Sequence, residues 1–144
     1  MRIVLQRVLE GSVSVDGEII GAIERGFVLL VGIAKGDDES MMDAMARKIA
    51  NLRIFSDDAG KMNLSLLDVG GEALVISQFT LLADLTQGRR PSFGNAEVPE
   101  RASVLCDYFA ASLRTCSVKH VATGRFGADM KVALVNDGPV TIIL

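Results

Sequence analysis

Apolar positions along this chain fall into short dense runs separated by glycine- and proline-marked breaks, with two longer stretches of helical spacing between them. Residues 1–33 read as a meander. Arg2 to Leu9 predict a strand, Ser12-Val13-Ser14-Val15 alternate as a strand does, and Asp16-Gly17 is a hairpin signal. Glu18 to Ile23 and Phe27 to Ile33 supply two more strands around Arg25-Gly26. Lys35 to Ser40 opens a helix whose early acidic residues suit its positive end. Met41, Met45, Ile49 and Leu52 then recur at helical spacing and predict its buried face.

Ser56 to Asn63 reads as a loop, and Ala73-Leu74-Val75-Ile76 as a strand ending at Ser77-Gln78-Phe79-Thr80. Thr86 to Asn95 is polar. Pro99 starts a second helix, where a missing N–H costs nothing, and Ala102, Leu105, Phe109 and Leu113 form its stripe. Ser117–Ala122, Met130–Val135 and Val140–Leu144 predict three closing strands. The expected order is four strands, a helix, a strand, a helix and three strands. Such a chain folds as one α/β domain over 1–144, with both helices on one face of a curled sheet.

Composition sharpens this picture. The 144 residues are 49% hydrophobic and only 5% aromatic, so aliphatic side chains carry the apolar surface. The mean hydropathy is +0.35, high for a chain this short. Some of that surface is expected to be covered by a second copy, making a homodimer. No apolar run approaches the ~20 residues of a membrane-spanning helix, so no membrane partner is expected. The first residues enter a strand directly, without a signal-peptide pattern, which favours a cytoplasmic location. Cys106 and Cys116, turned about 280° apart on a helix, are expected to stay reduced. A net charge of −3 argues against a broad nucleic-acid coat, DNA included, while leaving room for contact with one end of an RNA.

Several chemistries are missing their residues. The single histidine, His120, has no nucleophile elbow or zinc-spaced Cys/His cluster to work with, so neither a metal nor a Ser-His-Asp triad is expected. Glycine-rich phosphate loops are absent as well, and no cofactor is implied. What remains is polar residues at strand ends. Ser77-Gln78-Phe79-Thr80 follows a buried run, where hydroxyl, amide and main-chain donors can surround a carbonyl and its developing oxyanion. Asn136 and Thr141 bracket Gly138-Pro139 in a similar way. That pair is either an ordinary turn or a cis peptide presenting two carbonyl oxygens in one direction, since cis X-Pro costs only about 0.5–1 kcal/mol.

Taken together, Ser77-Gln78-Phe79-Thr80-Leu81 and Asn136-Asp137-Gly138-Pro139-Val140-Thr141 resemble the two signatures of the D-aminoacyl-tRNA deacylases in their bacterial form, Ser-Gln-x-Thr-Leu and Asn-x-Gly-Pro-x-Thr. Gln6-Arg7-Val8, Arg53 to Asp57, Gly60 to Asn63, Arg90-Pro91-Ser92-Phe93 and Thr123 to Phe126 extend the resemblance almost end to end. It implies a β/β/α layered fold with a partly closed, barrel-like mixed sheet and two helices. It also implies a homodimer with active sites at the interface, and tRNA as the partner.

The implied reaction is hydrolysis of the ester joining a D-amino acid, or mischarged glycine, to the 3′-terminal adenosine of tRNA. Ser77, Gln78, Phe79 and Thr80 would form the catalytic group, with Phe79 and Thr80 N–H near the scissile carbonyl. Gly138 and Pro139 would reject L-side chains from the partner's site. Asn136, Thr141, Phe126 and Met130 would contact substrate, the last two at the adenine, while Lys61, Arg89 and Arg90 would meet phosphates. The nucleophile is either water assisted by the ribose 2′-hydroxyl or Thr80 Oγ. Other readings of the same residues are an RNA-binding dimer without catalysis, an editing domain for mischarged L-amino acids, and a purely structural dimer.

Overall fold

A computed structural model describes residues 1–86 and 88–144. Strand β1 (Arg2–Val15) is followed by β2 (Glu18–Ile23), β3 (Gly26–Gly32) and helix α1 (Glu39–Ala50). A small hairpin of β4 (Phe55–Ser56) and β5 (Met62–Leu64) leads to β6 (Glu72–Ser77), a 3-10 turn (Phe79–Leu82) and helix α2 (Pro99–Thr115). Strands β7 (Val121–Thr123) and β8 (Lys131–Ile143) complete the described order.

Strand β1 organises the sheet. One of its edges pairs first with β3 and then with β2, and its other edge carries β8, all antiparallel. Beyond β3 the sheet continues in parallel through β6 to β7. It then curls until β2 nearly meets β7, where a Cβ on Gly21 would lie 2.9 Å from the Thr123 carbonyl oxygen. The result is a partly closed, barrel-like mixed sheet with helices on one side.

Alternation along the strands divides the interior in two. Phe27, Leu29 and Val31 face the helices, joining Ile3, Leu5, Leu105 and Phe109 in the larger cluster. Val28, with Val8, Val13, Leu74 and Ile76, fills the inside of the curl. Strands buried on both faces read as continuous aliphatic runs, which explains the density of Val, Ile and Leu.

Four sequence expectations are corrected. The expected strands at Arg2–Leu9 and Ser12–Val15 are one strand, because Gly11 lies flat against Val28 rather than turning the chain. Helix α1 buries Met42, Ala46, Ile49 and Ala50; of the expected face Ile49 is buried, Met45 and Leu52 are half-buried against the core, and Met41 is exposed. The expected loop at Ser56–Asn63 narrows to residues 57–61, the turn of the β4–β5 hairpin, which Arg53 pins by donating to the Asn63 carbonyl. The expected strand at Ser117–Ala122 shortens to Val121–Thr123, because α2 ends through Ser117 at φ 66°. The predicted α2 stripe of Ala102, Leu105, Phe109 and Leu113 is buried throughout.

The end of the chain also differs from expectation, with consequences for the site. The two closing runs are a single strand, β8, that passes straight through Gly138-Pro139. Its pairing with β1 joins Gln6 to Thr141 and Val8 to Asn136, so Asp137 to Val140 stand opposite Arg7 alone. Proline is tolerated in such a bulge because its missing N–H is not needed by the ladder.

Candidate active site

The cleft opens where β6 runs into the 3-10 turn. A parallel strand buried on both sides must release its chain at the carboxyl end, and the release here is abrupt. Gln78 N–H donates to the Val31 carbonyl at 2.7 Å, so the turn begins while still tied to β3. Gly32 lets it sit close, since a Cβ there would lie 3.0 Å from the Gln78 carbonyl oxygen. Arg2 donates to the Leu81 carbonyl and closes the far end. Leu81 N–H and Ala83 N–H find carbonyl acceptors at the two ends of this turn, whereas Phe79 and Thr80 N–H have none among the described residues. Two fixed, unpaired amide donors side by side are suited to stabilising developing negative charge.

The adjoining cavity has a volume of about 570 Å³. Ser77, Gln78 and Phe79 form one wall, Phe126 and Met130 another, and Ala102 and Cys106 of α2 the floor. Met130 can fold over the cavity because Gly124 leaves room for it; a Cβ there would stand 2.5 Å from the sulfur. Apart from Glu97 the lining carries no formal charge, which suits a flat neutral ring better than a phosphate. Burial pushes the Cys106 thiol up to about 12, so it stays protonated near neutrality and offers no nucleophile.

Thr80 is exposed just outside this lining, and its Oγ1 accepts from Gln78 Nε2. No carboxylate or imidazole bonds that hydroxyl among the described residues. Asn136 and Thr141 do not reach the cleft of their own chain either. Both donate to Gln6 Oε1, Asn136 Nδ2 at 3.1 Å and Thr141 Oγ1 at 2.5 Å. Between them the Gly138–Pro139 peptide is cis, and both residues are exposed. Lys61, Arg89 and Arg90 are also exposed and are not part of the cavity lining.

Arg7 is the residue whose importance sequence patterning did not bring out. Its Nε donates to the Asp137 carbonyl at 3.2 Å and pairs with the Asp137 carboxylate at 3.0 Å. Nη1 donates to the Ile54 carbonyl, and the residue is only 7% exposed. It therefore clamps the base of the Gly-Pro bulge to the segment entering the β4–β5 hairpin. A signal was available in the alternation, since Ile3, Leu5 and Arg7 share one face of β1. A charge at core parity has to be paired or it is not tolerated.

Known proteins resemble this chain in sequence and in fold. The profile of a family described as D-Tyr-tRNA(Tyr) deacylase matches residues 4–144. A D-aminoacyl-tRNA deacylase of Roseiflexus sp. (strain RS-1) is 59% identical over all of this chain and 92% of its own length. One from Thermomicrobium roseum (strain ATCC 27502 / DSM 5159 / P-2) is 60% identical, over all of this chain and 93% of its own. Among solved structures, the c-Myc DNA Unwinding Element Binding Protein superposes with a TM-score of 0.92 at 42% identity, covering 100% of this chain and 97% of that one. A probable eukaryotic D-amino acid tRNA deacylase shares the fold, with a TM-score of 0.88 at 14% identity over 99% of this chain and 97% of that one. The chain belongs to the D-Tyr-tRNA(Tyr) deacylase family and is an enzyme of that family.

Proposed function

We propose that this deacylase hydrolyses the ester between a D-amino acid, or glycine on a non-cognate tRNA, and the 3′-terminal adenosine of tRNA, acting as a cytoplasmic homodimer. The observation that carries the reading is the pair of unpaired amides, Phe79 and Thr80 N–H, at the rim of an apolar cleft. Adenine occupies the cleft beside Phe126 and Met130, and the ester carbonyl lies at its rim. Ser77 and Gln78 hold the ribose. As water adds to the carbonyl carbon, charge builds on the carbonyl oxygen and the two amides stabilise it. The C–O bond to the ribose then breaks, and the departing oxygen takes a proton.

An aminoacyl ester is activated already, so positioning and oxyanion stabilisation carry most of the catalysis. Among the described residues no base bonds the Thr80 hydroxyl, which supports the substrate's 2′-hydroxyl as the proton relay. Thr80→Val is expected to keep the rate for D-Tyr-tRNA within about fivefold. A 2′-deoxy terminal adenosine is expected to lower it at least about a hundredfold. The opposite pattern in single-turnover assays would assign the chemistry to Thr80.

Chiral selection follows from carbonyls aimed at the α-ammonium. Gly138 and Pro139 present them to the partner's cleft, where an L-side chain collides with the dipeptide and a D-side chain or hydrogen does not. Two features support the dimer: the outer edge of β8 is unpaired among the described residues, and Leu134, Val135 and Ile143 on it are exposed. Asn136 and Thr141 serve the wall through Gln6. Lys61, Arg89 and Arg90 are offered to acceptor-end phosphates. The DNA element in the name of the 42%-identical protein is not carried over, because a net charge of −3 lacks the field of a duplex-binding coat.

A shared site predicts complementation. Ala102→Phe fills the cleft, and Gly138→Val disrupts the wall. Each variant alone is expected to be nearly inactive on D-Tyr-tRNA. Subunit exchange in an equal mixture should restore about a quarter of the wild-type rate, since half the dimers then hold one intact site. Failure of verified heterodimers to regain activity would contradict a site built from two copies.

A further inference from the structure

Phe79 and Phe93 meet edge to face at the mouth of the cleft, with ring centroids 4.9 Å apart and planes crossing at 68°. Phe79 is 56% exposed, so one face of this ring pair is open to solvent. Phe93 is fixed from both sides. Asp84 and Ser92 exchange backbone hydrogen bonds at 2.8 and 2.9 Å, and Ala96 N–H donates to the Phe93 carbonyl at 2.9 Å. Arg89 and Arg90 lie between Asp84 and Ser92, exposed and without an ion-pair partner among the described residues.

An aromatic face beside free cations is the combination that binds single-stranded nucleic acid, the ring stacking a base and the cations tracking the backbone. We infer that Phe79 and Phe93, with Arg89 and Arg90, form a stacking platform for the penultimate nucleotide of the tRNA. This rests on the deacylase reading above, which puts the terminal adenosine in the cleft. A strand whose last base lies there has to leave through the mouth, so its next base meets the aromatic pair and its phosphate the arginines. Stacking tolerates any base, so the platform selects an unpaired 3′ end rather than a sequence.

The test uses D-tyrosyl esters of adenosine, of the dinucleotide CpA, and of the same dinucleotide with an abasic 5′ residue. Wild-type kcat/KM is expected to be about five- to a hundredfold higher for the CpA ester than for the abasic one. Phe93→Ala should erase that preference and Phe93→Tyr retain it. Replacing both arginines by glutamine should lower the CpA and abasic esters equally and flatten the salt dependence. Equal wild-type rates on the CpA and abasic esters would overturn the platform, as would a preference surviving in Phe93→Ala. Cleavage of the adenosine ester without any base preference overturns the platform alone. Cleavage of none of the three while D-Tyr-tRNA is hydrolysed overturns recognition through the last two nucleotides alone, and failure on D-Tyr-tRNA as well overturns the deacylase reading.

Discussion

Arg7→Ala is expected to lower kcat/KM for D-Tyr-tRNA about a hundredfold and to bring the D-to-L rate ratio down toward one. The cause is mechanical. Asp137 to Val140 bulge away from β1, and Arg7 is the side chain that holds that bulge, through the Asp137 carbonyl, the Asp137 carboxylate and the Ile54 carbonyl. Without it the Gly138 and Pro139 carbonyls lose their fixed direction, and the wall against L-side chains loosens. Stability should fall by about 2–3 kcal/mol, because acceptors near the interior lose a charged donor. Arg7→Lys keeps the charge but cannot reach all three oxygens at once, so it should fall between the two. Urea denaturation run beside the kinetics separates the effects. A folded Ala variant with undiminished activity and selectivity would contradict the clamp.

The second large effect concerns folding. Gly26 opens β3 directly against Glu72 of β6, and a Cβ there would lie 1.9 Å from the Glu72 carbonyl oxygen. The obstacle is the backbone of a paired strand, so no rotamer change relieves it. Gly26→Ala is expected to cost about 4 kcal/mol or more and to leave most of the protein insoluble. Gly36→Ala provides the contrast. Its φ of +86° is strained for an L-residue but an added Cβ meets nothing within 4 Å, so the cost should be about 1–2 kcal/mol. Equal stabilities for the two variants would show that β3 and β6 are not packed this closely.

Where periodicity and burial coincide, the fold could be read directly from residues. The α2 stripe was legible because Leu105, Phe109 and Leu113 are both the large residues and the buried ones. In α1 they diverge, since the buried positions include Ala46 and Ala50, which carry little hydrophobic weight of their own. The continuity of β8 was hidden by Pro139, whose local chemistry says turn; only the pairing partner shows that Arg7 faces a bulge. Ser77 to Thr80 stood out as a polar break after an aliphatic run. Phe93, Ala102 and Cys106 did not, because the cleft is assembled from segments far apart in the chain, and no local pattern records that meeting.

The proposed activity removes D-amino acids from tRNA and spares their L-counterparts. The most direct measurement is deacylation of D-Tyr-tRNA and L-Tyr-tRNA, prepared on the same tRNA, by purified protein pretreated with a metal chelator. Rapid release of tyrosine from the D-ester is expected, with none above background from the L-ester. Equal release from both would contradict selection by Gly138 and Pro139, and release from neither would contradict the activity itself.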